Sequence, residues 1–418
     1  MHHLLVRLGD VAKVRRVIVP EVDIADGKVT MVERISFDGE IFVGKENTKM
    51  EQFLAQPGDL IVSKIRARQG SVGLVAPSLG SVSVTIHYRA LTPDMEKINE
   101  QYAWLVLRSS YARAQFLAAT GGAMKGEISE EVLLDIRIPL PPLETQRAIV
   151  ARWQQAQAEI AAANEQVKKL ETRVLAEVRK AMGREQAART ERPMVFALNF
   201  KDLDRWGADV CWKTKTKTHT ANYPTVEVAD LCKISSGGTP SRQVAEYFGG
   251  DIPWVKTTEV RDEVIYETEE TLTQLGLENS SAKIYPRGSL IVAMYGQGAT
   301  RGRTAKLGID AATNQACAVL TRFSEQVEPD FLWFYLMSEY DDLRDLASGN
   351  NQPNLNAEMI ATYSIPLPPL EVQRDLVRRV EESRAEVTRL RAQAARRARE
   401  AQAEVEAAIL GGGDLPGF

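Results

Sequence analysis

Ile138 to Arg147 reads IPLPPLETQR, and Ile365 to Arg374 reads IPLPPLEVQR. Nine of the ten positions are identical, and the copies lie 227 positions apart (365 minus 138). Self-similarity at one long period is the mark of a duplicated structural unit. Here the period is about half the chain. The chain therefore reads as two tandem copies of one domain-plus-helix unit, and its function is one that needs two of something.

The phrase has a physical reading. Pro139, Pro141 and Pro142 cannot sit inside a helix or a central strand, and they bias their neighbours to extended backbone, so IPLPP is a stiff connector. Leu143-Glu144-Thr145-Gln146 then opens a helix, with Glu144 near its positive N-terminal end. Ile149, Trp153, Ala156, Ile160, Ala163, Val167, Leu170 and Val174 step by alternating fours and threes, an a/d seam sustained beyond three heptads. From Leu143 to about Met182 this helix would run ~60 Å. The final helix repeats the seam in register: Leu376, Val380, Ser383, Val387, Leu390, Ala394, Arg397 and Ala401. Two such seams in one chain are most simply buried against each other. The long domain between them can reverse the path, so an antiparallel pair is expected.

The segments between the helices also echo. Val6 to Lys13 (VRLGDVAK) matches Val226 to Lys233 (VEVADLCK), and Pro57 to Val62 matches Arg287 to Val292. The helix spanning Gln101 to Ala119 matches Phe331 to Leu346, with Trp104 and Trp333 at the same place, and Gly121 and Gly349 close them. Short β-branched runs divided by Asp-Gly and Pro-Gly turns make both segments β-rich. The fold expected is α+β: two β-rich domains separated by two long antiparallel coiled-coil helices and related by a pseudo-two-fold internal repeat. Expected boundaries are a first β-rich domain over 1–137, connector and central helix over 138–183, a linker over 184–222, a second β-rich domain over 223–364, connector and C-terminal helix over 365–411, and a tail over 412–418.

Composition narrows the class. No apolar run reaches the ~18 to 20 residues a membrane span requires, and the opening MHHLLVRLGD lacks the features of a secretory signal. Three cysteines without close spacing argue against a disulfide framework or zinc finger. The expected compartment is a reducing cytoplasm. A net charge of −4 offers no global sign of nucleic-acid binding, although a binding face is set by local field.

Catalytic motifs are missing. Gly296-Gln-Gly298-Ala-Thr-Arg-Gly302 has the wrong spacing for a nucleotide loop and no Gly-Lys-Ser/Thr ending, so it reads as a hairpin loop. The four histidines are too scattered for a metal site, and no nucleophile can be paired with a base. No catalytic and no metal residue is assigned.

The positive signal is where the copies differ. Ser235 to Arg242 (SSGGTPSR) and Tyr247 to Lys256 (YFGGDIPWVK) have no counterpart around Val14 to Val17. A duplicated scaffold bearing unlike loops suits a binder of two unlike sites on one ligand. Polar and basic residues gather in those loops: Arg15, Arg16, Lys64, Arg66, Arg68 and Gln69 in the first copy. The second offers Thr239, Arg242, Lys256, Tyr295, Gln297, Arg301, Arg303 and Asn314, with Lys306 nearby. Arginine can bridge guanine O6 and N7, Asn or Gln can read adenine, and cations can hold phosphate. Any one alone is an ordinary surface residue; the set at matched loops carries the argument.

With these features the chain resembles the specificity (S) subunit of a Type I DNA restriction-modification system. The two connectors with their helices resemble that family's central regions. GGTPS, YFGGDIPWVK, RGSLIVAMYGQGATRG, Thr313 to Ala316 (TNQA) and Ser348 to Leu355 (SGNNQPNL) resemble its second target-recognition domain. The resemblance implies a non-catalytic subunit with two target-recognition domains, each reading one half of a bipartite, asymmetric double-stranded DNA target. It implies that the helix pair, with Ile149, Trp153, Ile160, Val167, Leu170 and Val174 facing Leu376, Val380, Val387 and Leu390, sets the spacing and docks two methyltransferase subunits. Restriction and translocase subunits would join these. S-adenosylmethionine, ATP and magnesium would belong to the partners, none to this chain. A bipartite-site Type II specificity subunit is the nearest alternative, and a coiled-coil adaptor without a DNA role is the alternative from another class.

Overall fold

The structure, a computed structural model, describes residues 3–44, 50–119, 126–184, 221–296, 299–346 and 354–411. Most of the expected linker, together with Gln297, Gly121 and Gly349, lies outside them. Two compact units emerge, one of residues 1–165 with 391–418 and the other of 166–390. Two long helices contribute to both: α5 (Leu143–Ala181) and α11 (Leu370–Ile409).

In the first unit the strands are β1 (Leu5–Arg7), β2 (Ala12–Val14), β3 (Thr30–Ile35), β4 (Ile41–Gly44), β5 (Gln52–Ala55), β6 (Leu60–Ser63), β7 (Val72–Leu74), β8 (Val82–Thr85), β9 (Tyr88–Pro93) and β10 (Arg137–Pro139), with helices α1 (Glu21–Ala25), α2 (Glu100–Arg108), α3 (Ser110–Ala119) and α4 (Glu130–Asp135). They build sheets of order β2-β9-β6-β7 and β4-β3-β8-β5 and the small ladder β1-β10. In the second unit the strands are β11 (Thr225–Glu227), β12 (Lys233–Ser236), β13 (Phe248–Val255), β14 (Val264–Ile265), β15 (Glu270–Leu272), β16 (Ile284–Tyr285), β17 (Leu290–Ala293), β18 (Thr304–Leu307), β19 (Ala311–Thr313), β20 (Cys317–Thr321) and β21 (Ser364–Pro366). The helices are α6 (Val228–Leu231), α7 (Gln274–Glu278), α8 (Pro329–Ser338), α9 (Tyr340–Leu346) and α10 (Ala357–Ala361). Their sheets run β12-β20-β17-β18-β14 and β15-β13-β19-β16, with the ladder β11-β21.

The repeat is thus a repeat of topology. Each second sheet carries one parallel pair at the same place, β3 with β8 and β13 with β19. The small ladders share a register, Val6 opposite Ile138 and Val226 opposite Ile365. The connector is therefore partly strand: Ile138 and Ile365 are fully buried, and each proline that follows ends its ladder.

Two helices foreseen as continuous are broken. The first divides at Ser109, the second at Glu339 after Ser338. The serine hydroxyls donate to Val106 O at 2.6 Å and Tyr335 O at 2.7 Å, backbone acceptors of the preceding turn. Such local side-chain bonds compete with helix continuation. The resulting corner presents α2 and α8 to the long helices.

Each long helix packs differently along its length. In the first unit Ile149 and Val150 of α5, with Val405, Ala408 and Ile409 of α11, complete the domain core around Tyr102, Val106 and Phe116. Trp153 meets Trp104 edge-to-face at 6.4 Å, worth about 1 kcal/mol beyond burial. In the second unit Val174, Val178, Met182, Leu376 and Val380 join the core of α8, while Val167, Leu170, Val387 and Leu390 form a separate helix-to-helix cluster. Ile160 is half-buried. The pairing is antiparallel: Arg152 Nε reaches Glu404 at 2.9 Å and Arg397 Nε reaches Glu159 at 2.7 Å, within the first unit. Arg397 thus faces its sibling helix through an ion pair. No helix among the described residues is long and apolar enough to cross a membrane.

Candidate nucleic-acid interface

In each domain the predicted site residues come to the same sheet edge. In the first, β2 and β6 both run antiparallel to β9, so the ends of β2 and β6 lie beside the start of β9. Arg15 and Arg16 follow β2, and Lys64, Arg66, Arg68 and Gln69 form the loop between β6 and β7. In the second, Ser236 of β12 stands opposite Ala318 and Ala293 of β17 opposite Cys317. That register brings together the loop with Thr239 and Arg242, the β17–β18 hairpin with Tyr295, Arg301 and Arg303, and Asn314 ahead of β20.

The side chains are not equivalent once placed. Arg15 is scaffold: Nε donates to Asp59 Oδ2 at 2.6 Å, and Asp59 is only 2% exposed, also accepting from Gln56 N and Thr92 Oγ1. In the second copy Ser235 and Ser289 stand where Arg15 and Asp59 stand, so both charges vanish together. Arg16 pairs with Glu130, and Lys64 donates to Glu127 at 2.9 Å. Arg66 and Gln69 are exposed, and Arg68 is half-buried.

In the second domain the GGTPS segment is a close-packed loop. A Cβ on Gly237 would fall 2.1 Å from Thr313 O, and one on Gly238 would fall 2.3 Å from Ala282 N. Trp254 Nε1 donates to Gly238 O at 3.1 Å. The motifs GGTPS, PW and TNQA, far apart in the chain, therefore pack into one cluster, with Thr239 bonded to Gln315 at its rim. Arg242 lies over the Phe248 ring at 4.6 Å and pairs with Glu270. Lys256 Nζ reaches Glu269 at 2.8 Å and Glu270 at 2.9 Å. Hydrogen bonds from Arg242 and Lys256 hold the Glu270 carboxyl below its usual range, and those acids raise Lys256.

Arg303 pairs with Asp262 and covers the Tyr340 ring at 4.4 Å. Asp262 has φ of 62°, a left-handed conformation that Asp tolerates through local bonding, here from Thr304 N and Oγ1 at 2.9 and 3.0 Å. Tyr295 is exposed, and Lys306 pairs with Asp330. Arg301 Nε, Asn314 Oδ1 and Thr313 Oγ1 are buried and find no hydrogen-bond partner among the described residues. Such groups cost about 1–3 kcal/mol each.

Sequence reasoning missed the acids that meet these cations, because Glu127, Glu130, Glu269 and Glu270 are remote from them in the chain. Among the described residues no three His, Cys, Asp or Glu side chains gather as a metal would need. What the edges offer is cations, amides and hydroxyls at rims of a stiff sheet, groups suited to phosphates and base edges.

A family profile described as the Type I restriction modification DNA specificity domain matches residues 5–172 and again 221–393. The MjaIX specificity subunit of a Type I restriction enzyme from Methanocaldococcus jannaschii is 28% identical over 177 residues, covering 40% of this chain and 40% of that one. The MjaVIII specificity subunit from the same organism is 24% identical over 286 residues, covering 66% and 61%. Both alignments span less than two thirds of the relative's length. A chain from a structure concerned with complex assembly and conformational transition of the type I R-M system superposes with a TM-score of 0.62 at 18% identity, over 98% of each chain.

Proposed function

Because the chain belongs to the Type I restriction modification DNA specificity family, its profile matching both halves, we propose that it is the non-catalytic DNA-reading subunit of a Type I restriction-modification complex. Each domain reads one half of a bipartite, asymmetric double-stranded target at its loop-bearing sheet edge. The helices α5 and α11 fix the separation of the halves and dock two methyltransferase subunits, with restriction subunits joining for cleavage. The methyl donor, ATP and magnesium belong to those partners, and the assembly works in the cytoplasm where the DNA is.

The observation that carries this reading is the pair of matched sheet edges furnished with unlike side chains. Rigid elements present the loops, and a rigid reader fixes half-site separation. Mapping N6-methyladenine in cells carrying the system tests it. The expected result is one asymmetric motif in two parts. Substituting Arg16 and Arg66 should alter one part only, and substituting Thr239 and Arg242 should alter the other, each loss of a bidentate contact costing about 1–3 kcal/mol of base discrimination. A continuous motif, or variants that alter both parts together, would overturn it.

A further inference from the structure

Carboxylates that keep contact with solvent meet cations of both sheet edges. In the first domain a short segment at the start of α4 supplies them. Glu127 takes Lys64 at 2.9 Å and His87 at 3.4 Å, while Glu130 takes Arg16 and, at 3.3 Å, Arg89. Two acids thus hold four basic side chains drawn from three strand ends. The segment is fixed by Ile128, whose N–H donates to Lys64 O at 2.9 Å, and by Ser129, which caps α4.

The second domain keeps that backbone and discards the charges. Leu355 N donates to Met294 O at 3.1 Å, and Asn356 caps α10 as Ser129 caps α4. Yet Asn354 and Ala357 replace the two acids, and Ser236, Met294, Ala316 and Ala318 replace the four basic residues. The fold therefore does not need the cluster. The second domain builds its own by another route, with Glu269 and Glu270, at the start of β15, taking Arg242 and Lys256. A feature absent at the matched position yet present elsewhere on the same edge answers to a task of the edge.

These acids are also unlike the scaffold acid Asp59. Glu127 and Glu269 are 44% and 60% exposed and Glu130 and Glu270 25% and 31%, against 2% for Asp59. Exposed ion pairs are weak and exchangeable. A carboxylate holding lysine or arginine at hydrogen-bond distance occupies the place that a phosphate oxygen takes on duplex DNA.

We propose that Glu127 and Glu130, and Glu269 and Glu270 in the second domain, compete with DNA phosphate for the cations of each edge and so hold down its affinity for duplex. The inference rests on the DNA-reading function above. Off target, the exchange gains little, because each freed carboxylate must recruit a counterion while the phosphate releases one. On target, base contacts supply the difference. The acids thus lower affinity for duplex of any sequence and flatten the salt dependence of binding.

The test uses the full chain assembled with the methyltransferase subunits of its own system, titrated with random and target duplexes across a range of KCl concentrations. Glu127→Gln with Glu130→Gln should bind random duplex roughly tenfold more tightly. Its log K against log salt should be steeper by about 0.9 for each phosphate gained. Glu131→Gln, on the next exposed residue, changes net charge without touching the cluster and should leave the slope in place. Thermal unfolding should be nearly unchanged, since the second domain forms the same backbone without these pairs. An unchanged slope and affinity would overturn the proposal, as would weaker binding to both duplexes, which would make the acids positioning residues. If the parent assembly binds no duplex, the DNA-reading function itself fails, and this inference with it.

Discussion

Gln146 and Gln373 show what one side chain can do for a duplicated scaffold. Each is fully buried. Gln146 Oε1 accepts from Asn99 N at 2.8 Å, and its Nε2 donates to Lys97 O and Pro141 O at 3.1 and 2.8 Å. Gln373 repeats all three bonds with Glu328 N, Gln326 O and Pro368 O at 2.8, 2.9 and 2.8 Å. One amide thus ties the connector to the residue that opens α2 or α8 and to the loop before it. Replacing either glutamine by alanine leaves a buried N–H and two carbonyls unanswered, so a loss of about 2–3 kcal/mol is expected in denaturant unfolding. Thr145→Val, the change the second copy already carries, should cost under about 1 kcal/mol. Equal losses would show that the amide is not the joint. The identity of the phrase was visible in the sequence; its cause was not, because two of the three bonding partners of each glutamine lie more than forty residues upstream.

The long helices meet the two domains through one repeat position of opposite charge. Arg179 of α5 reaches Ser338 O at 2.9 Å, Glu339 at 3.1 Å and Asp342 at 3.0 Å in the corner between α8 and α9. Glu406, 227 positions later, accepts from Ser110 N and Oγ at 3.2 and 2.8 Å in the corner between α2 and α3, where Arg113 adds its field. The receiving residues change with the helix: Glu339 and Asp342 in one corner, Ser110 and Arg113 in the other. Burial pushes the Glu339 carboxyl above its ordinary range, against the pull of Arg179. Arg179→Glu would set a third acid among buried carboxyls and should destabilise the second unit by about 3–5 kcal/mol. Glu406→Arg, at an exposed contact, should cost about 1 kcal/mol. Differential unfolding of the full chain checks the ratio, and equal effects would contradict it. Heptad spacing revealed both helices, and the long domain between them pointed to their antiparallel sense. It could not reveal the corners, since Ser109 and Ser338 break what composition makes look continuous, nor that the seam ends at Ile149 and Val174 serve domain cores.

At the scale of the molecule, the duplication was legible as soon as the phrase was read twice, and the sheet edges followed from the loops where the copies disagree. Which cation is scaffold and which is available was not legible, because Arg15 and Arg16 are neighbours in sequence and differ only through Asp59 and Glu130. The first unit is discontinuous, residues 1–165 needing 391–411 for its core. A chain ending at Leu390 would lose Val405, Ala408 and Ile409, each worth about 0.8–3 kcal/mol when buried. Hydrogen exchange should then show the α2–α3 region deprotected although none of its own residues has changed; native-like protection there would contradict this. The same discontinuity sets an order in time. A ribosome makes the first reader before the second, yet the first cannot close its core until residues 391–411 have emerged, so the half begun earlier is the later one to be finished.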